Sequence, residues 1–350
     1  MAKKFVNEKE NAALDKFAEL MIEKIESISA NSWQKPWFTK GIGAWPVNLS
    51  GREYNGGNAM LLMWMCEKSN WQNPVFGTFD RFAKYNFVFD KEGCQVPARD
   101  NDGNKLPRLS VNKGEKSLPV FITTYTVINS ETKEKIDFQT YREMDAEERE
   151  KYRVFPRLHV YYVFNIDQTN MKETRPEIYE ELTAKYKEKE PEQKPDVFEF
   201  APMDKIISEN LWICPIKPTY GDDAYYSISK KIIVVPEKKQ FKDGESFYAN
   251  TFHEMAHSTG AKDQLNRLKP STFGSADYAR EELIAELSAA LTASRYGMVK
   301  NIKSDSAAYL KSWLQSLKQE PKFIKTVLNE VKRATGMLTQ CIDKYNVTTK

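Results

Sequence analysis

Apolar residues recur every three or four positions between residues 11 and 28, with acids and lysines between them. This period puts the apolar side chains on one side of a helix and predicts an amphipathic α-helix. Between residues 33 and 164 the pattern changes to turn residues, short helical segments and two strand-like runs, LPVFITTYTVI and LHVYYVFNI. β-Branched and aromatic runs bounded by turn residues are typical of strands, so this part is predicted to be a mixed α/β domain.

The stretch 171–195 is highly charged, is closed by prolines and has no strong apolar stripe. It is therefore predicted to be a linker, part helical and part extended. A helical segment, MDKIISEN, and a strand pair around YYSISKKIIVVP follow, and the rest is mostly helical, including SDSAAYLKSWLQSLKQEP. The predicted fold class is α+β, with a domain at 1–170, a linker at 171–197 and a mainly helical domain with a small β-sheet at 198–350.

Composition narrows the functional classes only a little. Lys and Arg number 52 against 49 Asp and Glu, a net charge of +3 that does not by itself predict nucleic-acid binding. The four cysteines lack CxxC spacing, and we expect free thiols in a reducing compartment. The N-terminus lacks a signal-peptide pattern, and the apolar runs are shorter than the roughly 20 residues that cross a bilayer. These features predict a cytoplasmic protein without a membrane partner.

The clearest chemical motif is YANTFHEMAHSTG, residues 248–260, which contains two of the three histidines. Residues four apart share one face of a helix, so His253 and His257 can bind one metal ion. Glu254 is placed to take a proton from a metal-bound water rather than to bind the metal. We predict that the helix starts near 243–246 and stops at Gly260.

Catalytic zinc needs a third protein ligand, and the remaining histidine, His159, lies in the other predicted domain. A carboxylate is therefore expected, and YAREELIAELSAALTAS offers Glu282 and Glu286 on a helix that is otherwise mostly apolar. We prefer Glu282 as the ligand and place Glu286 against a ligand imidazole, although the two roles could be exchanged. The alternative is an accidental HExxH, with packed or solvated histidines and a surface helix.

Ordered motifs along both halves of the chain resemble one family. The C-terminal half has YYSISKKIIVVPEKKQF, FHEMAHSTG, LNR, FGSADYAREELIAELSAAL and AAYLKSWLQSLK. The N-terminal half has WQKPWF, PVNLSGREYNGGNAMLL, FGTFDRF, VNKGEKSLPVF and YYVFNIDQT. Together they resemble ArdC-type antirestriction proteins over nearly the whole chain. Residues 85–110 form a longer segment than the family pattern has, so no residue role is carried over there.

The resemblance implies a single-stranded-DNA-binding domain followed by a zincin-like metallopeptidase domain that holds Zn²⁺ and resembles SprT-type and gluzincin proteases. It also implies a protein of conjugative plasmids, phages or other mobile elements that protects incoming DNA from restriction. The expected partners are single-stranded DNA and a protein substrate, with no small-molecule cofactor. Tyr278 is a candidate donor to the oxyanion, or a packed tyrosine.

Two alternatives to a protease required for antirestriction remain open from the sequence. The chain could act by coating DNA, with a metal that is structural or dispensable. It could instead cut proteins attached to DNA.

The window 28–125 supports DNA binding on its own residues, with 12 Lys and Arg against 8 Asp and Glu and five of the seven tryptophans. Aromatic faces stack on bases of any sequence while basic groups follow the phosphates. Trp64, within AMLLMWMC, is predicted to be core, and core is the commoner role for the others too. Trp45 is a candidate for exposure, and the WQKPWF segment offers Trp33, Lys35 and Trp37 for DNA.

Two further segments are predicted phosphate contacts. SGREYNGGN offers Arg52, Tyr54 and Asn58 with glycines that let backbone amides approach an anion. VNKGEKS offers Lys113 and Lys116 around a glycine turn. Either segment could instead be a solvated loop. His159 draws no functional prediction, since a strand histidine is more often satisfied by its neighbours than a ligand.

Overall fold

A computed structural model describes residues 8–29, 45–100, 102–186, 199–241, 243–269, 275–298, 313 and 323–346. The helices are α1 (Glu8–Ser29), α2 (Gly56–Ser69), α3 (Phe79–Ala83), α4 (Phe138–Glu143), α5 (Ala146–Glu150), α6 (Met171–Thr174), α7 (Pro176–Thr183), α8 (Ala201–Ser208), α9 (Gly244–Thr259), α10 (Ala276–Arg295) and α11 (Phe323–Asp343). The strands are β1 (Val47–Asn48), β2 (Val75–Gly77), β3 (Phe87–Phe89), β4 (Gln95–Pro97), β5 (Leu118–Asn129), β6 (Lys135–Ile136), β7 (Tyr152–Asn165), β8 (Ile216–Thr219), β9 (Tyr225–Ser227) and β10 (Ile232–Pro236). The predicted α+β class is confirmed.

The N-terminal half is built on a five-stranded sheet in the order β1-β2-β7-β5-β6. β5 and β7 are the two strand-like runs of the sequence, and they pair antiparallel from Leu118↔Val163 to Asn129↔Tyr152. β2 and the ends of β5 and β7 next to it are buried in the core, with Val75, Leu118, Val120 and Val163 each at most 5% exposed. Beyond that point the two long strands continue as a projecting ribbon.

The C-terminal half contains a three-stranded sheet in the order β8-β10-β9. β9 and β10 form the predicted antiparallel pair, and β8, which the sequence pattern did not indicate, adds in parallel to β10. The apolar side of this sheet packs against α9, with Ile233 and Val235 fully buried. The sheet therefore packs against one side of the histidine helix.

One hydrophobic core joins helices from both halves of the chain. α1 and α2 contribute Phe17, Met21 and Trp64, and α10 and α11 contribute Leu287 and Val331 to the same cluster. Trp64 is buried, as predicted. Because apolar side chains of α10 and α11 cover α1 and α2, the two halves are packed together rather than joined only by a linker.

Two glycines allow α11 to approach the start of α2 closely. Gly56 has φ +53°, and an added Cβ would lie 2.7 Å from Cβ of Lys332. At Gly57 a Cβ would lie 2.8 Å from a methyl group of Leu328. Atoms this close would overlap, so glycine is required where the two helices meet.

Residues 171–186, which the sequence assigned to a linker, are helical in the structure. Met171 is fully buried, and Ile178, Tyr179 and Leu182 pack against a cluster that includes Val75 and Ile166. This segment is thus part of the N-terminal fold, because its modest apolar stripe covers the β2 side of the sheet. The remainder of the predicted linker, 187–197, lies outside the described residues. So does the predicted helix around Trp313, except for Trp313 itself, which is buried.

All four cysteines are free thiols, as expected. Within the described ranges, no helix combines the length and apolar character needed to cross a membrane.

Candidate metal centre and nucleic-acid groove

The histidine helix, α9, begins where the sequence predicts. The Asp243 side chain caps it by accepting a hydrogen bond from the Ser246 amide at 2.6 Å. The helix is buried on most sides, and α10 packs against it through small residues such as Ala289. Helices with small residues at their contact approach closely, which brings the glutamates of α10 to the histidines of α9.

The three predicted ligand side chains meet at the contact between α9 and α10. Nε2 of His253 lies 3.2 Å from Nε2 of His257 and 3.5 Å from Oε2 of Glu282. Nε2 of His257 lies 3.4 Å from Oε1 of Glu282. Ligands about 2.0–2.2 Å from a tetrahedral zinc ion lie about 3.3–3.6 Å from one another. The two imidazole nitrogens thus lie at about this spacing from each other and from the two oxygens of Glu282, and one ligand atom from each of the three residues lies within 4.8 Å of the others, as the ligands of one ion would.

Carboxylates stand behind both imidazoles. Oε1 of Glu281 is 3.1 Å from Nδ1 of His257, and Oε2 of Glu286, which is fully buried, is 3.1 Å from Nδ1 of His253. The second contact falls short of hydrogen-bond geometry. A carboxylate at Nδ1 favours the tautomer that leaves the Nε2 lone pair for a metal. Glu286 thus lies where the sequence placed it, against an imidazole rather than among the three donors.

Glu281 and Arg267 were not predicted. The Arg267 guanidinium donates to both carboxylate oxygens of Glu281, at 2.9 and 3.0 Å. It also donates to Thr259 Oγ1 at 2.7 Å and to the carbonyl oxygen of Ala256 near the end of α9. A forked, buried pair of this kind fixes the carboxylate in place. The signal was the doubled glutamate of YAREEL together with the arginine of LNR.

Electrostatics favour a cation at this position. Burial lowers the pKa of His257, but the carboxylates of Glu282 and Glu281 outweigh it and raise the pKa to about 10. Burial raises the pKa of Glu282, yet the two imidazoles outweigh burial and hold it well below its ordinary range. Without metal, His257 therefore holds a proton between two carboxylates. A divalent cation can take the place of that proton, because carboxylate and neutral imidazole are its ligands.

α9 ends at Gly260, as the sequence predicts. Gly260 has φ −78° and so lacks the left-handed conformation that is common where glycine ends a helix. It is instead tightly packed, since an added Cβ would lie 2.8 Å from Leu268 and 3.0 Å from Arg267. Tyr278 is half-buried and packs against the shared core, which agrees with the packed alternative. Glu254 is 3% exposed, next to His253 on α9.

A groove of about 800 Å³ lies between the N-terminal sheet, the start of α2 and α11. Five basic residues line it against two acids, Glu53 and Asp80; the basic ones are Arg52, Arg81, Lys84, Lys325 and Lys332. The aromatic residues Tyr54, Phe121 and Tyr161 also face it. The acid Glu53 is paired with Arg295 at 2.6 Å, which increases the positive balance. Basic groups around aromatic faces suit a single nucleic-acid strand.

The SGREYNGGN segment forms part of the groove wall. Arg52 is exposed, and Tyr54 is half-buried edge-to-face against Phe76, where burial raises the pKa of Tyr54 to about 12. Asn58 also lines the groove, but its amide is used structurally. It donates to the carbonyl oxygen of Phe121 at 2.7 Å and accepts from the Phe121 amide at 2.8 Å. These bonds tie α2 to β5, which disfavours the predicted phosphate contact for Asn58.

Two other predicted DNA residues are not brought into this groove. Lys113 and Lys116 are exposed on either side of Gly114, a turn residue with φ +92°, and neither lines the groove. Trp33, Lys35 and Trp37 lie outside the described residues.

Trp45, expected to be exposed, is half-buried. Its indole N–H donates to the carbonyl oxygen of Tyr54, and the Arg295 guanidinium lies 5.5 Å from its ring centre.

Comparison with known protein families matches both halves of the chain. Residues 11–164 match the N-terminal domain of anti-restriction factor ArdC, and residues 212–328 match a zincin-like metallopeptidase domain. Two proteins from Escherichia coli, both named DNA primase TraC, are 30% and 28% identical over 87% and 88% of the chain. The chain spans only 18% and 25% of the length of these relatives.

Solved structures share the fold over almost the entire length. The antirestriction ArdC protein from the R388 plasmid has been solved in metal-free and Mn(II)-bound forms. Both align with a TM-score of 0.62 at 22% and 21% identity, and the alignment covers 94% of this chain and nearly all of theirs. With both of its domains matched in the same order, the chain belongs to the ArdC-type antirestriction family.

Proposed function

We propose that this protein binds single-stranded DNA in the groove and hydrolyses peptide bonds at a Zn²⁺ centre held by His253, His257 and Glu282, as part of the antirestriction activity of a mobile element. The observation that carries the proposal is that two Nε2 atoms 3.2 Å apart face the Glu282 carboxylate, whose Oε2 lies 3.5 Å from Nε2 of His253 and whose Oε1 lies 3.4 Å from Nε2 of His257. Two imidazoles and one carboxylate are a donor set typical of catalytic zinc. The plasmid origin of the related ArdC structure supports the mobile-element setting.

A zinc ion at this position would lower the pKa of a bound water towards neutrality and polarise a peptide carbonyl. The protein supplies the remaining groups. Glu254, buried beside His253, is the proposed proton acceptor, and it later delivers the proton to the leaving amine. Glu281, fixed by Arg267, hydrogen-bonds to Nδ1 of His257 and would hold that imidazole in the orientation that ligation requires. Glu286 lies 3.1 Å from Nδ1 of His253, where its carboxylate would favour the same orientation.

The groove is the proposed DNA site because it combines a positive lining with aromatic faces and is open to solvent. α11 contributes Lys325 and Lys332, so the strand would contact residues from both halves of the chain. Binding through phosphates and stacked bases does not depend on base sequence. The site would accept DNA of any sequence, as protection of an incoming strand requires.

The experiment that tests the proposal compares wild-type protein with Glu254→Gln in two assays. The first measures cleavage of denatured casein by full-length protein, with and without a single-stranded oligonucleotide. We expect a loss of roughly 100-fold to 10,000-fold, because the variant keeps the metal ligands and removes the proton acceptor. Glu245→Gln, on the same helix, is the control and should keep activity and metal content.

The second assay measures transfer of DNA into a restricting host with each variant in place. We expect Glu254→Gln to reduce protection. If the variant loses cleavage but protects as well as wild type, peptide hydrolysis is not part of the antirestriction function. If a groove variant such as Arg52→Ala combined with Lys332→Ala also protects fully, the DNA-binding part of the proposal is wrong.

A further inference from the structure

The ribbon formed by β5 and β7 leaves the core and carries two different faces. In an antiparallel pair, directly opposed residues lie on the same face, and neighbours along a strand alternate. The pairs Ile122↔His159 and Thr124↔Arg157 therefore share one face, and the pairs beside them share the other.

One of these faces is covered along its outer part. Tyr125 stacks on Phe138 of α4 with ring centres 4.0 Å apart, and Tyr152 lies edge-to-face on Tyr141 at 6.3 Å. Val127 on the same face is fully buried. The short helices α4 and α5 thus protect this side of the ribbon.

The opposite face, here called the arm face, consists of Arg153, Phe155, Arg157, His159 and Tyr161. Its residues are exposed, with Phe155 and Tyr161 at 46% and 45%. Large aromatic side chains exposed on the uncovered side of a strand favour binding a partner. Their contact with water is unfavourable, and a bound partner removes their apolar surface from water.

Charge indicates what kind of partner fits. Twelve residues lie on this side of the paired strands from Leu118 to Ile128 and from Arg153 to Val163, and they include no acid. Within the part of the chain that the structure describes, neither Arg153 nor Arg157 forms an ion pair with a carboxylate. Exposed, unpaired guanidinium groups between aromatic rings match a polyanion with flat bases.

The arm face is also continuous with the groove. Tyr161 lines both, and Val120 and Ile122 from the same side of the sheet form part of the groove wall. From Tyr161 to Phe155, β7 extends about 20 Å at roughly 3.3 Å per residue. This length is enough for several nucleotides of an extended strand.

We propose that the arm face is a second segment of the single-stranded-DNA path, in which Phe155 and Tyr161 stack on bases and Arg153 and Arg157 contact phosphates. The inference rests on the proposed DNA binding by the groove and extends it by a platform on the ribbon. The DNA strand then runs from α11, through the groove, and along the arm face of β7.

The test measures binding of fluorescent oligo(dT) to the full-length protein, with strands of about 10 and about 30 nucleotides. Phe155→Ala and Tyr161→Ala should each weaken binding of the long strand roughly 5-fold to 100-fold, since a stacked base is lost. Each variant has a matched control. Phe87→Ala removes an equally exposed phenylalanine, at 46%, from β3, and Tyr162→Ala removes a tyrosine at 42% from the other side of the ribbon.

A second pair of variants tests the phosphate contacts. Arg153→Ala and Arg157→Ala should each reduce the slope of log affinity against log salt by about 0.7, the value for one phosphate of a single strand. Phe155→Ala should leave that slope unchanged. Thermal unfolding of each variant checks that the ribbon is still folded.

The outcomes separate this inference from the proposed function. If groove variants weaken binding while Phe155→Ala, Arg153→Ala and Arg157→Ala bind the long strand like wild type, the arm inference alone is wrong. If wild-type protein binds no single strand, both are wrong. Equal losses for duplex and single strands would also overturn the stacking platform, since paired bases are not available to Phe155.

Discussion

The metal centre and the groove differ in how the chain builds them. The candidate metal centre uses side chains from α9 and α10, which are consecutive helices in the sequence and are buried against each other. The groove draws on residues from Leu14 to Lys332 and is open to solvent. A buried charged cluster tolerates little displacement, whereas a broad exposed surface distributes its contacts among many weak ones. Single substitutions should therefore affect the two sites very differently.

The largest effect is expected at a metal ligand. His253→Ala removes one of the three proposed donors and leaves buried carboxylates without a cation, so purified protein should lose the divalent ion proposed at this site. Elemental analysis of the purified protein measures the stoichiometry. A variant that retains one equivalent of metal would exclude His253 as a ligand.

A smaller effect is expected behind the ligands. Glu281→Gln removes the charge that pairs with Arg267 and orients His257, which should weaken metal binding about 10-fold to 100-fold. Competition with a chromophoric chelator gives the affinity. Asp277→Asn, on the exposed side of the same helix, is the control and should bind metal like wild type.

The contact between the two halves should respond in free energy of unfolding. Gly56→Ala introduces a Cβ that overlaps Lys332, whereas Gly51→Ala, at φ +79°, meets no atom within 4 Å. Both carry left-handed strain of about 1 kcal/mol, and Gly56→Ala should lose about 1–3 kcal/mol more through overpacking. Denaturant unfolding of the two variants compares them. Equal losses would mean that α11 does not pack on Gly56 in solution.

The smallest effect is expected in the groove. Arg52→Ala should weaken binding of single-stranded oligo(dT) only a few-fold and reduce the salt slope by about 0.7. Lys113→Ala, outside the groove lining, should change neither quantity. A salt titration of both variants decides whether the VNKGEKS turn belongs to the same DNA path.

Sequence reasoning was strongest where chemistry depends on local spacing. A four-residue interval fixes the relative position of His253 and His257 on any α-helix, so the two could be paired without a structure. The glutamate helix was identifiable because acids on a mostly apolar stretch need a partner. Which of three nearby glutamates faces which imidazole depends on how α9 and α10 cross, and spacing along one helix does not determine that.

The proposed DNA-binding surface was harder to predict from the sequence, since it depends on how distant segments fold together. Asn58 and Arg52 belong to the same polar segment of the sequence. In the fold, however, the start of α2 lies beside β5, and the Asn58 amide forms two hydrogen bonds with the backbone of Phe121. Lys332 lies 280 positions from Arg52 along the chain but lines the same groove. The run 171–186 has the composition of a linker and is nevertheless folded, because tertiary packing outweighs its weak apolar pattern.

The core shared by α1, α2, α10 and α11 makes thermal stability a common readout for the two sites. A ligand that binds only the folded protein raises its stability by RT ln(1 + [L]/Kd), wherever in the folding unit it binds. Metal added at α9 should therefore raise the temperature at which the core around Trp64 unfolds. An oligonucleotide in the groove should likewise raise the temperature at which the metal is lost. In cells that lack either ligand the folded protein would be less stable, so its lifetime would depend on the concentrations of both ligands.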